Sequence, residues 1–393
     1  MLWSGQPDHV GLEGLPGDRS TVSERRTLRV DLAERGYDIV IGERLLEMAD
    51  DVLAPVIDGR RTVVVTDAVV RDAHLPRLAQ TLDRLDVRWD TVTIPAGEDT
   101  KSFREIEALL DRLLDLGVDR STVLVAFGGG VVGDVVGFAA ALFMRGIDLV
   151  QIPTTLMSQV DSAVGGKNAI NTRHGKNLVG TFHQPRLVLD DVSVLASLPR
   201  RELLSGYGEV VKCGLIRGET EFAWLERNAS ALLALDTGPL IEAVRLGCET
   251  KARIVTSDER DRGDRALVNL GHTFAHAVET EAGHGALPHG EAVAAGLAAA
   301  AALSAKLGHC DRSVVDRVRS HLRGTGLPDR IAALASNRPW NPGAILEQMA
   351  HDKKTVAGRL HFVLLRGIGA PFVDGTVPEG TVLDVLDGEC RRG

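Results

Sequence analysis

The stretch STVLVAFGGGVVGDVVGFAAALFMRGIDLVQIP, Ser121 to Pro153, decides the fold. STVLVAF is apolar, β-branched and too short for an ordinary helix, so it reads as a strand covered on both faces. The glycines of GGGVVGD (128–134) end the run, a small-residue helix extends to Arg145, and DLVQIP (148–153) returns as a strand. Strand, turn, helix and strand in that order pair the two strands in parallel. Gly128, Gly130 and Gly133 also fit G-x-G-x-x-G, a turn whose amides and helix N-terminus can hold a pyrophosphate. The competing reading is a tight turn with close strand–helix packing. A dinucleotide fingerprint normally follows the first strand, and Asp134 is an unusual neighbour for phosphate.

The same grammar extends on both sides. RTVVVTD (61–67) is a strand ending on an acid, followed by a helical segment to Leu85, the strand VRWDTVTIP (87–95) and the amphipathic SFREIEALLDRLLDLG (102–117). Residues 28–198 are therefore expected to form an α/β domain with a mainly parallel, Rossmann-like sheet. Beyond Leu198 long apolar-periodic segments take over: 201–216, 220–235, 238–257, 272–282, 289–307, 312–325 and 342–352. LHFVLLRG near the end is the main strand-like exception. An all-α second domain over 199–393 is expected, with a site in the cleft between the halves. Residues 1–27, rich in Gly, Pro and charge and without an apolar h-region, read as a flexible tail and not a secretion signal.

Bulk properties narrow the function. At 393 residues the chain is too long for one ordinary core. A formal net charge of -9 without a long basic run argues against nucleic acid as a partner, so any anionic ligand needs a local cluster of cations. The most apolar segment, Ala292 to Leu303, is too short to span a bilayer and reads as a buried helix. Cys213, Cys248, Cys310 and Cys390 form no C-x-x-C pair, which suits free thiols in a reducing cytoplasm.

Several residues can carry chemistry. Asp67 ends its strand where an acid either bonds ribose hydroxyls or caps the next helix. In the turn AGEDTKS, Glu98 and Lys101 either bind a nucleotide or are solvated. PTTLMSQVDSAVGGKNAINTRHGKN (153–177) is the densest segment, with Thr154, Thr155, Asp161, and Lys167 and Lys176 on glycine-flanked loops, the second followed by Asn177. No P-loop spacing is present, but two such lysines suit capture of phosphate or carboxylate. GYGEVVK (206–212) puts Glu209 and Lys212 on one helix face among apolar neighbours, so the acid is expected to face inward. NLGHTFAHAVE (269–279) places His272 and His276 one turn apart, with Thr273 where a zinc peptidase keeps its glutamate. His289 opens the apolar helix of PHGEAVAAG. Three imidazoles and an inward glutamate in one helical domain suit a zinc site.

These motifs, together with LPRRE, DRALVNLGHTFAHAVE and HDKK, occur in an order that resembles the 3-dehydroquinate synthases, a family of sugar-phosphate cyclases, over residues 28 to 373. The resemblance implies zinc ligands at Glu209, His272 and His289, with Co2+ a possible substitute. It implies NAD contacts at Asp67, Glu98 and Lys101, at Gly130, Val131, Val132, Gly133 and Asp134, and at Thr154, Thr155, Lys167, Lys176 and Ser197. Substrate-binding and catalytic groups fall on Arg145, Asp161, Lys167, Asn177, Lys212 and Lys251. Arg265, Asn269, His276 and the Lys353/Lys354 pair, Lys354 above all, complete that implied set. The implied reaction takes 3-deoxy-D-arabino-heptulosonate 7-phosphate to 3-dehydroquinate and phosphate, in the shikimate pathway of aromatic amino acid biosynthesis. It runs by transient oxidation, phosphate elimination, reduction and aldol closure. A homodimer is also implied, while charge, hydropathy and cysteine usage point to a cytoplasmic protein without nucleic-acid or membrane partners.

The chain departs from the family's usual residues at Ala163, Asn168, Cys213 and Ala275. Asn168, next to Lys167, is expected to tune the ligand pocket, and the others to change packing. The rival readings are a sister cyclase of the amino-dehydroquinate or valiolone type, a metal-dependent polyol dehydrogenase, and a non-enzymatic scaffold. Valiolone-type relatives typically lack the second histidine, here His276. A dehydrogenase would accumulate NADH, and a scaffold would not need the ligand set.

Overall fold

The computed structural model describes residues 25–259, 264–283, 285–351 and 360–391. It opens with an antiparallel pair, β1 (Arg25–Val30) and β2 (Tyr37–Gly42), so the first strand starts ahead of Leu28. Short helices α1 (Leu45–Met48) and α2 (Asp50–Ile57) lead to β3 (Thr62–Asp67), α3 (Ala68–Arg84), β4 (Trp89–Ile94) and α4 (Phe103–Asp115). The decisive stretch follows as β5 (Val123–Gly128), α5 (Gly130–Leu142) and β6 (Asp148–Pro153). A separate antiparallel hairpin, β7 (Lys167–Thr172) and β8 (Gly175–Phe182), precedes β9 (Leu187–Asp191).

The seven-stranded sheet has the order β1-β2-β9-β6-β5-β3-β4, parallel throughout except for β1 against β2. Every residue of β3 and β5 is buried, as expected of strands covered on both faces. Helix α4 shows how the cover is specified. The Ser102 side chain accepts from the Glu105 N–H as an N-cap, and Ile106, Leu109 and Leu113 form one buried stripe. Burying each of these side chains contributes about 2 kcal/mol.

The hairpin corrects one expectation. Lys167 and Lys176 lie on paired strands and not on loops. β7 reads KNAINT, whose buried positions are Asn168 and Ile170, so no apolar alternation announces it. It rests on α5, with the Asn168 Oδ1 1.9 Å from where a Cβ on Gly137 would stand.

The second half contains α6 (Arg200–Arg217), α7 (Glu219–Leu233), α8 (Thr237–Ser257), a 3-10 turn at Asp264–Asn269, α9 (His272–Ala282) and α10 (His289–Lys306). It continues with α11 (Arg312–Thr325), α12 (Pro342–His351), the antiparallel pair β10 (Phe362–Leu365) and β11 (Pro371–Asp374), and α13 (Glu379–Cys390). LHFVLLRG thus supplies β10, paired with a partner strand that the sequence did not announce. The apolar Ala292–Leu303 run lies in α10, the buried centre of this half. Helix α10 crosses α6 and α9 at backbone contact. A Cβ on Gly290 would stand 1.8 Å from the Ser205 oxygen, and one on Gly296 would stand 2.2 Å from the Gly271 oxygen. Helix α8 packs on β1, β2 and the π-turn Ser158–Ser162, joining the two halves.

Among the described residues no helix is long and apolar enough to cross a membrane. All four cysteines are free thiols.

Candidate active site

The glycine-mediated crossings bring three potential ligands together. Gly208 precedes Glu209 on α6, Gly271 precedes His272 at the start of α9, and Gly290 follows His289 at the start of α10. A Cβ on Gly208 would stand 2.5 Å from the Gly290 oxygen, so larger residues would force the helices apart. One ligand atom from each of Glu209, His272 and His289 lies within 4.8 Å of the others, and both imidazole Nε2 atoms are 3.6 Å from Glu209 Oε1.

The donor set fits a divalent cation. The Glu209 side chain is 1% exposed and neither of its oxygens accepts a hydrogen bond of good geometry, although the Lys212 ammonium lies against Oε2. A buried carboxylate in that state is costly without a further cation. Burial opposes its ionisation, but the Lys212 charge and the His289 imidazole win and hold the carboxyl well below the usual range. The same pair acts on the partners. Burial lowers the His289 pKa, and the Glu209 and Glu279 carboxylates on either side of the ring overturn that and raise it to about 10. Burial also works against the Lys212 charge, yet Glu209 and Asp161 keep its pKa raised. Both imidazoles are oriented through Nδ1, His272 by the Leu270 oxygen at 3.2 Å and His289 by Glu279 at 3.3 Å. With each Nδ1–H so held, Nε2 of both rings faces inward, and it offers a lone pair to a cation once that nitrogen has given up its proton.

His289 and Glu279 border a cleft of about 1630 Å³ between the sheet's C-terminal edge and the helical half, with Glu209 and His272 next to His289. Its volume exceeds that of an ordinary small-ligand pocket and suits a dinucleotide plus a second small molecule. On the sheet side lie Gly130, Val131, Val132 and Asp134. Space at the start of α5 is reserved for glycine. A Cβ on Gly130 would lie 2.9 Å from Ser162 Oγ, and one on Gly129 3.1 Å from Thr155 Cγ2. The open α5 N-terminus that results suits a pyrophosphate. Gly133 is not in the cleft lining, and a Cβ there would stand 3.0 Å from Gln151 Oε1, so the position is also packed closely on β6. Asp134 turns from the cradle to Lys101, 2.6 Å away, which removes the objection to an acid beside phosphate. Burial pushes the Asp134 carboxyl up despite that partner.

Asp67 lines the cleft and also caps α3, its Oδ1 accepting from Val69 and Val70, so neither of its two readings excludes the other. Glu98, Thr154, Thr155, Lys167, Lys176 and Ser197 border the same cleft. Lys101 binds Asn177 as well as Asp134, and Asn177 takes a left-handed conformation with φ 54°. Asn171 was not anticipated, yet it holds this corner by donating to Glu98 at 2.7 Å and accepting from the Asn177 amide at 2.9 Å.

Asp161 lies in the π-turn, and the Lys251 ammonium is 3.0 Å from its carboxylate and also bonds its backbone oxygen. Burial resists its charge, but Lys251 and Lys212 hold its pKa lowered. Asn269 and His276 face the cleft, and the His276 ring lies 5.5 Å from that of His272 and 6.2 Å from that of His289. Lys212 and Lys251 stand against Glu209 and Asp161 and are not themselves in the cleft lining. Arg145 differs from them. It is exposed, in a left-handed conformation with φ 69°, and outside the cleft lining of this chain. The Arg265 side chain, Lys353 and Lys354 lie outside the described residues. Glu279, Ser162 and His361 also border the cleft and were missed. Glu279 had a signal, since it lies two turns from His272 on the same face.

Comparison with known proteins converges on one family. The model of the 3-dehydroquinate synthase N-terminal region matches residues 91–205, and that of the C-terminal region matches 206–355. The 3-dehydroquinate synthase of Rhodospirillum rubrum is 52% identical over 360 residues, covering 91% of this chain and 94% of that one. The chain belongs to the 3-dehydroquinate synthase family. The Caulobacter vibrioides 3-dehydroquinate synthase is 50% identical, with 88% of this chain and 94% of that one covered. Among solved structures, the 2-epi-5-epi-valiolone synthase of Streptomyces hygroscopicus subsp. jinggangensis, with NAD+ and Zn2+ bound, superposes with a TM-score of 0.81 at 31% identity. The match covers 90% of this chain and 96% of that one. A 2-deoxy-scyllo-inosose synthase complexed with carbaglucose-6-phosphate, NAD+ and Co2+ gives 0.82 at 27% identity, covering 93% and 100%. An iron-containing alcohol dehydrogenase of Thermotoga maritima shares the fold alone, with a TM-score of 0.63 at 16% identity over 90% of this chain and 98% of that one.

For this member of the 3-dehydroquinate synthase family, the departures at four positions now have places. Asn168 is buried against α5 and donates to the Gly166 and His183 oxygens, so it does not tune the cleft as expected. Its neighbour Lys167 points the other way because successive strand residues alternate faces. Ala163, Cys213 and Ala275 are buried core residues, and Ala275 lies where α9 meets Gly296.

Proposed function

We propose that this chain converts 3-deoxy-D-arabino-heptulosonate 7-phosphate to 3-dehydroquinate and phosphate, serving aromatic amino acid biosynthesis by the shikimate route. The observation that carries the reading is the Glu209, His272 and His289 cluster, which meets the cleft of the α5 cradle through His289. The α5 N-terminus with Asp67, Lys101, Thr154 and Thr155 would hold NAD+, and the three ligands would hold Zn2+ or Co2+. When bound, the nucleotide would supply reversible hydride acceptance and the metal Lewis acidity toward the same substrate hydroxyl.

The chain's own residues do the rest. Lys167 and Lys176 bring positive charge to the cleft wall of a protein whose net charge is -9. Arg265 and Lys354 are proposed to join them on the phosphate and carboxylate. Contacts that strengthen as phosphate departs act on turnover and not only on binding. Lys212 and Lys251, fixed by Glu209 and Asp161, set the charge under the reacting carbons. Asn177 and Asn269 orient hydroxyls, and His276, beside the metal ligands but not among them, is placed to move a proton. Arg145, exposed on its strained turn, is proposed to act where two chains meet in a homodimer. The reading places the enzyme in the cytoplasm, acting on a small sugar phosphate.

The aminated sister reaction is the rival to separate. Purified protein supplied with NAD+, Zn2+ and the heptulosonate phosphate is expected to yield 3-dehydroquinate, identified by mass and NMR. Preference for an aminated substrate by an order of magnitude or more in kcat/KM would assign the chain to the sister reaction instead.

A further inference from the structure

We propose that Glu279 is a positioning residue for the metal site, setting the orientation and basicity of His289; this rests on the metal reading above. Glu279 shares the α9 face that carries His272 and His276. Its two oxygens lie 3.3 and 3.4 Å from His289 Nδ1, while Nε2 of the same ring is 3.6 Å from Glu209 Oε1. The His289 imidazole is therefore spanned by two carboxylates, one at each nitrogen. With Nδ1–H donated to Glu279, only the Nε2 lone pair is left to face the cation.

The two imidazoles are not equivalent. His272 donates through Nδ1 to the neutral carbonyl of Leu270, whereas His289 donates to a charged carboxylate. A carboxylate at that position makes the imidazole a stronger donor and restrains its ring more tightly. The restraint has a physical need. The His289 side chain is 37% exposed at the cleft, against 11% for His272, so packing alone holds it less. The Glu279 side chain is only 16% exposed and stands on a helix, which makes it a firm anchor. Glu279 is not itself a ligand, because its oxygens lie on the opposite side of the ring from the Nε2 that faces Glu209.

The test titrates the full-length metal-free protein with Zn2+ against a chromophoric chelator, using the parent, E279A, E279Q and H272A. The visible spectrum of each Co2+-loaded form and NAD+ affinity are measured alongside. E279A is expected to bind Zn2+ about 10- to 100-fold more weakly and to shift the Co2+ bands. E279Q, which keeps an acceptor oxygen but not the charge, falls between it and the parent. NAD+ affinity stays within about twofold, which a general loss of structure would not allow; should E279A fail to fold, E279Q decides. Parent-like affinity and a superimposable Co2+ spectrum in the Glu279 variants, with H272A losing the ion, would overturn the role of Glu279 alone. A parent that binds no ion, or H272A that keeps it, would overturn the metal reading and this inference together.

Discussion

Gly290 packs directly on Ser205: its amide donates to the Ser205 side-chain Oγ at 3.0 Å, and a Cβ on Gly290 would stand 1.8 Å from the Ser205 carbonyl oxygen. This contact sets the distance between α6 and α10, and with it the distance between Glu209 and His289. G290A is expected to push the helices apart, at a cost of about 1–3 kcal/mol for overpacking. Both a lower thermal midpoint and weaker Zn2+ binding should follow. A variant with unchanged metal affinity would show that the ligands do not depend on this crossing.

H272A should lose its one bound ion. Removing one of three protein ligands leaves a Glu209 carboxylate and a single imidazole, too few for a catalytic site. Metal analysis of the purified variant checks this, and one tightly held, activity-supporting ion would refute the ligand set.

Gly130 guards the nucleotide cradle. In G130A the new methyl would meet Ser162 Oγ at 2.9 Å and narrow the α5 N-terminus. NAD+ affinity, read by fluorescence or calorimetry, should fall roughly tenfold, about 1.4 kcal/mol, with Zn2+ content unchanged. Parent-like NAD+ binding would place the nucleotide elsewhere.

Asp148, at the start of β6, receives Arg60 and Arg186, each at 2.8 Å. Burial resists its charge, but the two guanidiniums outweigh it and hold its carboxyl below the ordinary value of 3.8. A lowered folded-state pKa means that the ionised cluster stabilises the protein above that value and stops doing so as pH falls through the lowered one. D148N should cost about 1 kcal/mol near neutrality, and should flatten the loss of stability below pH ~4. Denaturant melts from pH 7 to 3 measure both, and parallel curves for parent and variant would count against the cluster.

The sequence was most legible where one physical period ruled. VLVAFG and its neighbours declared buried strands, and the helices from α6 to α12 followed their apolar spacing to within a residue or two at most ends. It was least legible in KNAINT, because a strand buried through Asn168 against a helix glycine carries no apolar alternation. The histidine pair and the inward Glu209 suggested a metal from residue type alone. Glu279 did not stand out because an acid on a helix face is ordinarily solvated, and its partner His289 opens the next helix. Arg145 was implied by the resemblance alone, and in this chain it stands outside the cleft lining, on a turn with φ 69°.

Redox balance during turnover tests the central claim most directly. Phosphate release from the heptulosonate phosphate and absorbance of NADH are followed together in one reaction containing the protein, Zn2+ and catalytic NAD+. The account predicts many phosphates released per NAD+ with no steady rise in NADH, and no release when NAD+ is withheld from nucleotide-free protein. NADH accumulating in step with turnover, or phosphate release indifferent to NAD+, would contradict it.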